Sequence, residues 1–280
     1  MSSDIKIAEK TYSSQRGIKF YYRLWAPIGA LKGVIVGIHG YAEHSGRYSH
    51  VGEFLASNGY AFYMQDLRGH GKSEGERGYI DKFSDFVDDV LEFTEMVMKE
   101  NNVDKVFLFG HSMGGLIATI FAIEHGDILR GLILSGPALA TSIEIKGPRL
   151  ALLKLLAKIR PKYRPEIVID PSLLTNDPKV NEAYVKDPLV FKRGTIRLLD
   201  EMLKAMNYAL ENAHKITVPV LILHGKEDKI VPPTASQELY ERIASQDKEL
   251  ILMEGIKHEV LNDIKKEEAL RKIVEWLNNH

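Results

Sequence analysis

A chain of 280 residues, 45% hydrophobic and 27% charged, is long enough to bury one large core and to carry an insertion on it. Its formal net charge of −1 excludes a whole-molecule electrostatic binder of nucleic acid or anionic membrane. The absence of cysteine excludes disulfides and thiol chemistry. Met1-Ser2-Ser3-Asp4-Ile5-Lys6 lacks the apolar core of a secretory leader, and no apolar run approaches the ~18 residues of a membrane span. A cytoplasmic protein is expected, at most peripheral at membranes.

Taken in chain order, Ile18 to Leu24 predicts an early strand, paired antiparallel at one edge of a sheet. Val34 to Ile38 is an apolar strand, followed by a helix near Tyr48 to Ser57 and a strand over Ala61 to Gln65. Ser84 to Lys99 predicts an amphipathic helix with Phe86, Val90, Phe93 and Val97 on one face. Val106 to Phe109 is the next strand, Leu116 to Glu124 a helix, and Gly131 to Leu134 another strand. Val218 to Leu223 and Glu249 to Met253 are the last strands, and Glu267 to Leu277 closes the chain as a helix. This alternation predicts a mostly parallel sheet with helices on both faces.

Between Ser135-Gly136-Pro137 and Val218 no strand signal is strong. Residues 138–212 are therefore read as a helical cap inserted into a core made of residues 1–137 and 213–280. Arg149 to Arg160 predicts its first helix, rich in leucine, with Lys154 and Lys158 opposite most of the leucines. Two readings stand: a helix packed on its own domain, or a lid that touches lipid and presents an apolar mouth to acyl chains. Arg160-Pro161 through Arg164-Pro165 ends that helix, and Arg193 to Leu210 predicts another cap or flanking helix.

The chemistry is carried first by Gly110-His111-Ser112-Met113-Gly114, directly after the strand at Val106. It fits G-x-S-x-G, the nucleophile elbow, which holds a serine on a sharp strand-to-helix turn. The turn strains Ser112, so the positions two away on each side must carry no side chain, and Gly115 adds clearance for the helix. A nucleophilic serine needs a base, an orienting carboxylate and oxyanion donors, in the chain order Ser, acid, His. Asp228 sits in the loop after the strand Val218 to Leu223. Glu227 competes, but the shorter side chain suits this Gly-x-x-Asp loop better. After Asp228 the only histidines are His258 and His280. His258 follows a strand and reaches the same rim, whereas His280 ends a helix and is expected to fray.

His39-Gly40-Tyr41 opens the loop after Val34 to Ile38 and supplies the remaining element. Gly40 lets the backbone turn, so the expected oxyanion donors are the N–H groups of Tyr41 and Met113, with His39 structural. Other patterns fail. Gly71-Lys72-Ser73 lacks the first P-loop glycine, which is Asp66, and His258-Glu259-Val260-Leu261-Asn262 has Asn where a zinc motif needs its second His. No metal and no cofactor is expected.

His39-Gly40-Tyr41-Ala42-Glu43-His44-Ser45-Gly46-Arg47-Tyr48 resembles the HGxxEHSGRY segment of monoacylglycerol lipases of the α/β-hydrolase superfamily. Asp66 to Gly75 and Gly110 to Gly115 are similar to their corresponding segments, and the likeness runs on through the Asp228 and His258 loops, leaving about Ala138 to Asn212 outside it. The resemblance implies an α/β-hydrolase fold that splits monoacylglycerols into glycerol and fatty acid. It implies Ser112, Asp228 and His258 as the triad and Tyr41 and Met113 as the oxyanion hole. Glu43 and Arg47 match positions associated with the glycerol end, although an internal salt bridge fixing the loop reads equally well. One departure is Leu261, where mammalian members carry a second histidine. A lysophospholipase, carboxylesterase or thioesterase would share the triad, and a non-catalytic binding protein on this scaffold would usually lack one of its members. The expected partner is a lipid acyl ester, with transient membrane or micelle contact through the cap.

Overall fold

The computed structural model describes residues 5–142, 146–166 and 169–280; Met1 to Asp4 and, within the expected cap, residues 143–145 and 167–168 lie outside the described residues. One sheet has eight strands: β1 (Ile5–Ser13), β2 (Lys19–Pro27), β3 (Gly33–Ile38), β4 (Tyr60–Gln65), β5 (Val106–His111), β6 (Leu129–Ser135), β7 (Val220–Gly225) and β8 (Lys248–Met253). Their spatial order is β1-β2-β4-β3-β5-β6-β7-β8. β1 pairs antiparallel with β2, and β2 antiparallel with β4. From β4 to β8 every pairing is parallel. The helices are α1 (Ser49–Ser57), α2 (Ser84–Asn101), α3 (Met113–His125), α4 (Gly147–Ile159), α5 (Pro178–Lys186), α6 (Ile196–Asn212), α7 (Pro233–Arg242) and α8 (Lys266–Asn279).

The central strands read as unbroken apolar runs because both their faces are covered. Successive side chains leave a strand on opposite faces, and the two cores divide accordingly. Val34, Val36, Ile38, Leu108, Leu132, Leu134, Val220 and Ile222 join the residues of α2, α3, α6 and α7. Ile35, Phe107, Phe109, Ile133, Leu221 and Leu223 join those of α1 and α8, where Trp25 and Trp276 are the largest side chains. β5 is buried at every position. That places the residue after it, Ser112, at the carboxyl rim of the middle of the sheet, where open α/β sheets carry their ligands.

The antiparallel edge differs from expectation in one respect. The edge strand is β1, and the predicted strand at Ile18 to Leu24 lies inside it, between β1 and β4. β1 is nowhere buried along its length and carries Lys6, Glu9 and Lys10, charges of the kind by which an edge strand avoids pairing with other chains.

Between β6 and β7 the chain forms α4, α5 and α6, with no strand among the described residues. α6 is more than a cover: Leu198, Ala205, Met206 and Ala209 are part of the main core, so its long apolar face flanks the sheet. α4 packs on α6 through a small separate cluster of Leu153, Ala157 and Ile196. Its other apolar residues, Leu152, Leu155 and Ile159, are exposed at 57%, 53% and 61%. No helix among the described residues is long and apolar enough to cross a membrane.

Candidate active site

Ser112 joins β5 to α3 with φ 52° and ψ −118°, a region that side-chain-bearing residues rarely occupy. What holds it there is the close approach of its neighbours. A Cβ on Gly110 would lie 2.4 Å from the Gly114 carbonyl oxygen, and one on Gly114 would lie 2.2 Å from the Ile38 and 2.5 Å from the His39 carbonyl oxygen. The elbow is therefore pressed against the end of β3, where the His39 loop begins. Ser112 N–H donates to the Ser135 carbonyl at 3.0 Å, tying the turn to β6 as well.

The loops after β7 and β8 converge on this serine. Ser112 Oγ lies 2.9 Å from His258 Nε2, and His258 Nδ1 lies 2.6 Å from Asp228 Oδ2. A carboxylate can only accept, so the proton sits on Nδ1 and Nε2 is left to take the hydroxyl hydrogen. Asp228 Oδ1 accepts the backbone N–H groups of Ile230 and Val231 at 2.8 and 2.9 Å. Glu227 is exposed, so Asp228 is the carboxylate that meets the histidine. His280 is elsewhere, and rather than fraying it stacks on Trp276 with ring centroids 4.2 Å apart and bonds Asp247 at 3.0 Å.

Electrostatics separate the two histidines at the serine. Burial pulls the His258 imidazole down, but the facing Asp228 charge and hydrogen bond outweigh it and leave His258 raised, with Glu259 and Glu43 adding in the same direction. Burial would lift the Asp228 carboxyl, yet the His258 charge and the hydrogen bonds of His224 and His258 hold it well below the carboxylate range. His111 lies with its ring 5.0 Å from that of His258. Burial, together with the neighbouring His258, lowers it to about 4. It stays neutral, bonded through Nδ1 to the Ser135 carbonyl at 2.9 Å, and does not compete as a base.

The expected oxyanion donors flank this arrangement. Met113 begins α3, so its N–H is among those that no carbonyl of the helix can take. On the other side the loop is set by side chains. His39 is wholly buried, donates from Nδ1 to the Gly40 carbonyl at 2.8 Å and accepts the Leu67 N–H at 2.9 Å, which is the structural part expected of it. Gly40 N–H donates to Glu43 Oε1 at 2.6 Å, and Ala42 turns with φ 66°.

Glu43 and Arg47 form the internal ion pair. Arg47 Nη1 reaches Glu43 Oε2 at 2.6 Å and Glu259 Oε1 at 2.7 Å, and Nη2 reaches Glu259 Oε2 at 2.8 Å. Tyr48 donates to Glu43 Oε1 at 2.8 Å and Asn262 to Glu259 Oε2 at 3.0 Å. The Tyr184 ring of α5 lies 4.9 Å from the guanidinium. Burial would raise the Glu43 carboxyl, but Arg47, with His111, His39 and Tyr48, lowers it to about 2. Leu261 is buried, at 3% exposure, and adds no polar group.

The segment between β6 and β7 is stitched to both rim loops. His44 Nε2 donates to Asp187 Oδ2 at 2.8 Å, Phe191 N–H to the Ala42 carbonyl at 3.3 Å, and the Tyr41 and Phe191 rings meet edge-on at 5.2 Å. On the histidine side, Glu259 N–H donates to the Leu174 carbonyl at 2.8 Å and Asn176 N–H to Asp263 Oδ2 at 3.0 Å. Two participants were missed from sequence. Glu259 was seen only as part of a failed zinc pattern. His224 sits four residues before Asp228 with Nε2 3.1 Å from Asp228 Oδ2, and that spacing was its only signal.

A mostly parallel sheet with a strained serine after its central strand, hydrogen-bonded to a histidine and an aspartate in that chain order, defines a serine hydrolase of the α/β-hydrolase fold. The chain belongs to the Hydrolase_4 family, described as serine aminopeptidase, S33, whose model matches residues 29–265. It is 31% identical to the monoacylglycerol lipase of Mycolicibacterium smegmatis over 98% of each chain. The crystal structure of Paleococcus ferrophilus monoacylglycerol lipase is similar at TM-score 0.82 and 34% identity, covering 98% of this chain and 99% of that one. A soluble variant of monoglyceride lipase from Saccharomyces cerevisiae, solved with a substrate analog, gives TM-score 0.87 at 26% identity over 97% of this chain and 94% of that one.

Two outcomes are expected. The raised His258 must lose its proton before it can accept one, so activity is lost as pH falls through its pKa. The acid limb of kcat/KM then lies above the ordinary histidine value of about 6.5, and a limb below 6 in ester hydrolysis would contradict the stated balance of burial and charge. Gly114→Ala places a Cβ against two backbone carbonyls that cannot yield, so thermal denaturation should show a loss of about 1–3 kcal/mol or more. Unchanged stability would mean that the elbow and β3 are not pressed together.

Proposed function

We propose that the chain hydrolyses monoacylglycerols to glycerol and a free fatty acid through an acyl-enzyme on Ser112. The observation that carries this reading is the continuous Ser112–His258–Asp228 hydrogen-bonded chain at 2.9 and 2.6 Å. The monoacylglycerol lipases among its relatives and structural neighbours support the substrate class. His258 Nε2 takes the Ser112 proton as Oγ attacks the ester carbonyl, and Asp228 stabilises the imidazolium. The N–H groups of Tyr41 and Met113 hold the oxyanion. His258 then protonates the departing glycerol oxygen, and a water activated by the same ring cleaves the acyl-enzyme.

In this reading residues 138–212 act as a cap over the rim, tied to the oxyanion loop at Asp187 and Phe191 and to the histidine loop at Leu174 and Asn176. The exposed Leu152, Leu155 and Ile159 of α4, flanked by Lys154 and Lys158, give the composition of a helix that lies on a lipid surface. The chain then meets its substrate as a peripheral protein. Glu43 and Arg47 act on the oxyanion loop through Gly40, and contact with glycerol hydroxyls is the further role that a substrate comparison decides.

Ser112→Ala should lower kcat by at least about 10⁴-fold with the fold intact, and a fluorophosphonate probe should label the wild-type chain only. Retention of a tenth of the activity would end the serine-hydrolase reading. Rates across monoacylglycerols of graded chain length, a lysophospholipid and a triacylglycerol test the substrate class; a lysophospholipid turned over faster than every monoacylglycerol would replace it.

Glu43→Gln breaks a buried pair and should cost about 3–5 kcal/mol of stability, read by chemical denaturation. Because Glu43 is depressed, that contribution is full above the ordinary carboxylate value and fades only as pH falls towards about 2. A comparable loss of kcat/KM on a monoacylglycerol and on a p-nitrophenyl ester of the same acyl chain is the result expected of loop positioning. A loss confined to the monoacylglycerol would give Glu43 the glycerol contact. Replacing Leu152, Leu155 and Ile159 together by serine should abolish co-sedimentation with phosphatidylcholine vesicles while hydrolysis of a water-soluble ester stays within about twofold. Undiminished sedimentation would remove α4 from the lipid contact.

A further inference from the structure

His224 is wholly buried at the end of β7, and the acyl-transfer chemistry described above makes no use of it. Its Nε2 faces two acceptors, Asp228 Oδ2 at 3.1 Å and the Val231 carbonyl at 3.1 Å. Neither can donate, so the proton must be on Nε2. Its Nδ1 lies 2.7 Å from Ser236 Oγ on α7, and Ser236 is itself wholly buried. The Ser236 hydroxyl thus holds the ring from its other nitrogen and keeps Nε2 aimed at Asp228. Asp228 then accepts four hydrogen bonds: Ile230 N–H and Val231 N–H on Oδ1, His224 and His258 on Oδ2.

We propose that His224, held by Ser236, is a positioning residue that shares Oδ2 of Asp228 with His258 and so sets both the direction and the strength of the carboxylate's hold on the catalytic imidazole. The proposal rests on the reading that Asp228 orients His258. Two backbone donors fix one oxygen, but they leave the carboxylate free to tilt about its own bond. A donor on the second oxygen removes that freedom and draws charge away from the His258 side. Without it, Oδ2 presents more charge to His258 Nδ1 and stabilises the imidazolium further. The other groups at His258 are the neutral His111, Ser112, and the carboxylates Glu43 and Glu259 already paired with Arg47. None of them contacts His224 among the described residues, so they are unchanged by its replacement.

The experiment compares His224→Leu, His224→Gln and Ser236→Ala on a p-nitrophenyl ester, following kcat, KM and the pH profile. The Gln amide keeps an N–H near the position of Nε2, whereas Leu keeps only the volume. His224→Leu should lower kcat about 10–100-fold, the cost of one charge-assisted hydrogen bond, and move the acid limb of kcat/KM to higher pH. His224→Gln should stay within about threefold of wild type with the limb in place. If Leu leaves rate and limb unchanged, or if Leu and Gln lose activity alike with the limb unmoved, His224 merely fills space and the proposal falls. Should His224→Leu fail to fold, Ser236→Ala decides: a smaller fall in kcat with a limb moved upward supports the proposal, and an unchanged rate and limb overturns it. Fluorophosphonate labelling of Ser112 in each folded variant separates the two readings. Labelling that survives with no limb shift sinks only the role of His224, whereas activity surviving Ser112→Ala sinks the triad itself.

Discussion

One guanidinium holds together the two halves of this site. Arg47 is nearly buried, with 10% of its side chain exposed, and joins Glu43, in the loop after β3, to Glu259, the residue after His258. Removing three charged groups from water is costly, and further hydrogen bonds offset that cost: Gly40 N–H and Tyr48 donate to Glu43, and Asn262 donates to Glu259. The same geometry fixes the loop that carries Tyr41 and the loop that carries His258. Its charge is also felt by the base, since both carboxylates push His258 upward. Positioning and acid–base tuning thus come from one buried cluster, and Tyr184 of α5 closes it from the cap side.

The serine depends on a different constraint, which is steric. A backbone at φ 52° with a side chain attached stores on the order of 1–3 kcal/mol of strain. It is held because β5 is buried along its whole length and Gly114 lies directly against the carbonyls of Ile38 and His39. That contact does more than strain Ser112. It sets the first turn of α3, where Met113 N–H emerges, beside the loop that carries Tyr41, so sheet packing would set the spacing of the two proposed oxyanion donors.

The sequence made the elbow, the order of the candidate triad and the alternation of strands legible, because each has a local and rigid signature. Gly110 and Gly114 have no substitute, and central strands buried on both faces announce themselves as apolar runs. What was not legible depended on contacts distant in sequence. Glu259 meets Arg47 across the fold, and nothing near either residue marks the pair. His224 lies inside an apolar strand, where a histidine reads as a satisfied core residue; only the bound Asp228 shows its use. β1 escaped notice because an edge strand exposed along its length carries Lys and Glu where a core strand carries Val. α5 and α7 were missed because they are short and largely polar. For α4 periodicity gave the helix but not the division of its apolar surface between α6 and solvent.

That division bears on how an acyl chain could reach the serine. The segment between β6 and β7 is not uniformly attached. α6 shares the main core, and the turns around Leu174 and Phe191 are bonded to the two loops that form the site, so moving either would disturb the chemistry itself. α4 packs through Leu153, Ala157 and Leu156 against α6 in a small cluster separate from the main core, and such satellite contacts open at far lower free energy than the core. It is also the helix whose exposed side is apolar. A helix attached outside the main core thus turns apolar side chains to solvent, and the proposed lipid contact would act there rather than on the segments bonded to the loops that carry Tyr41 and His258.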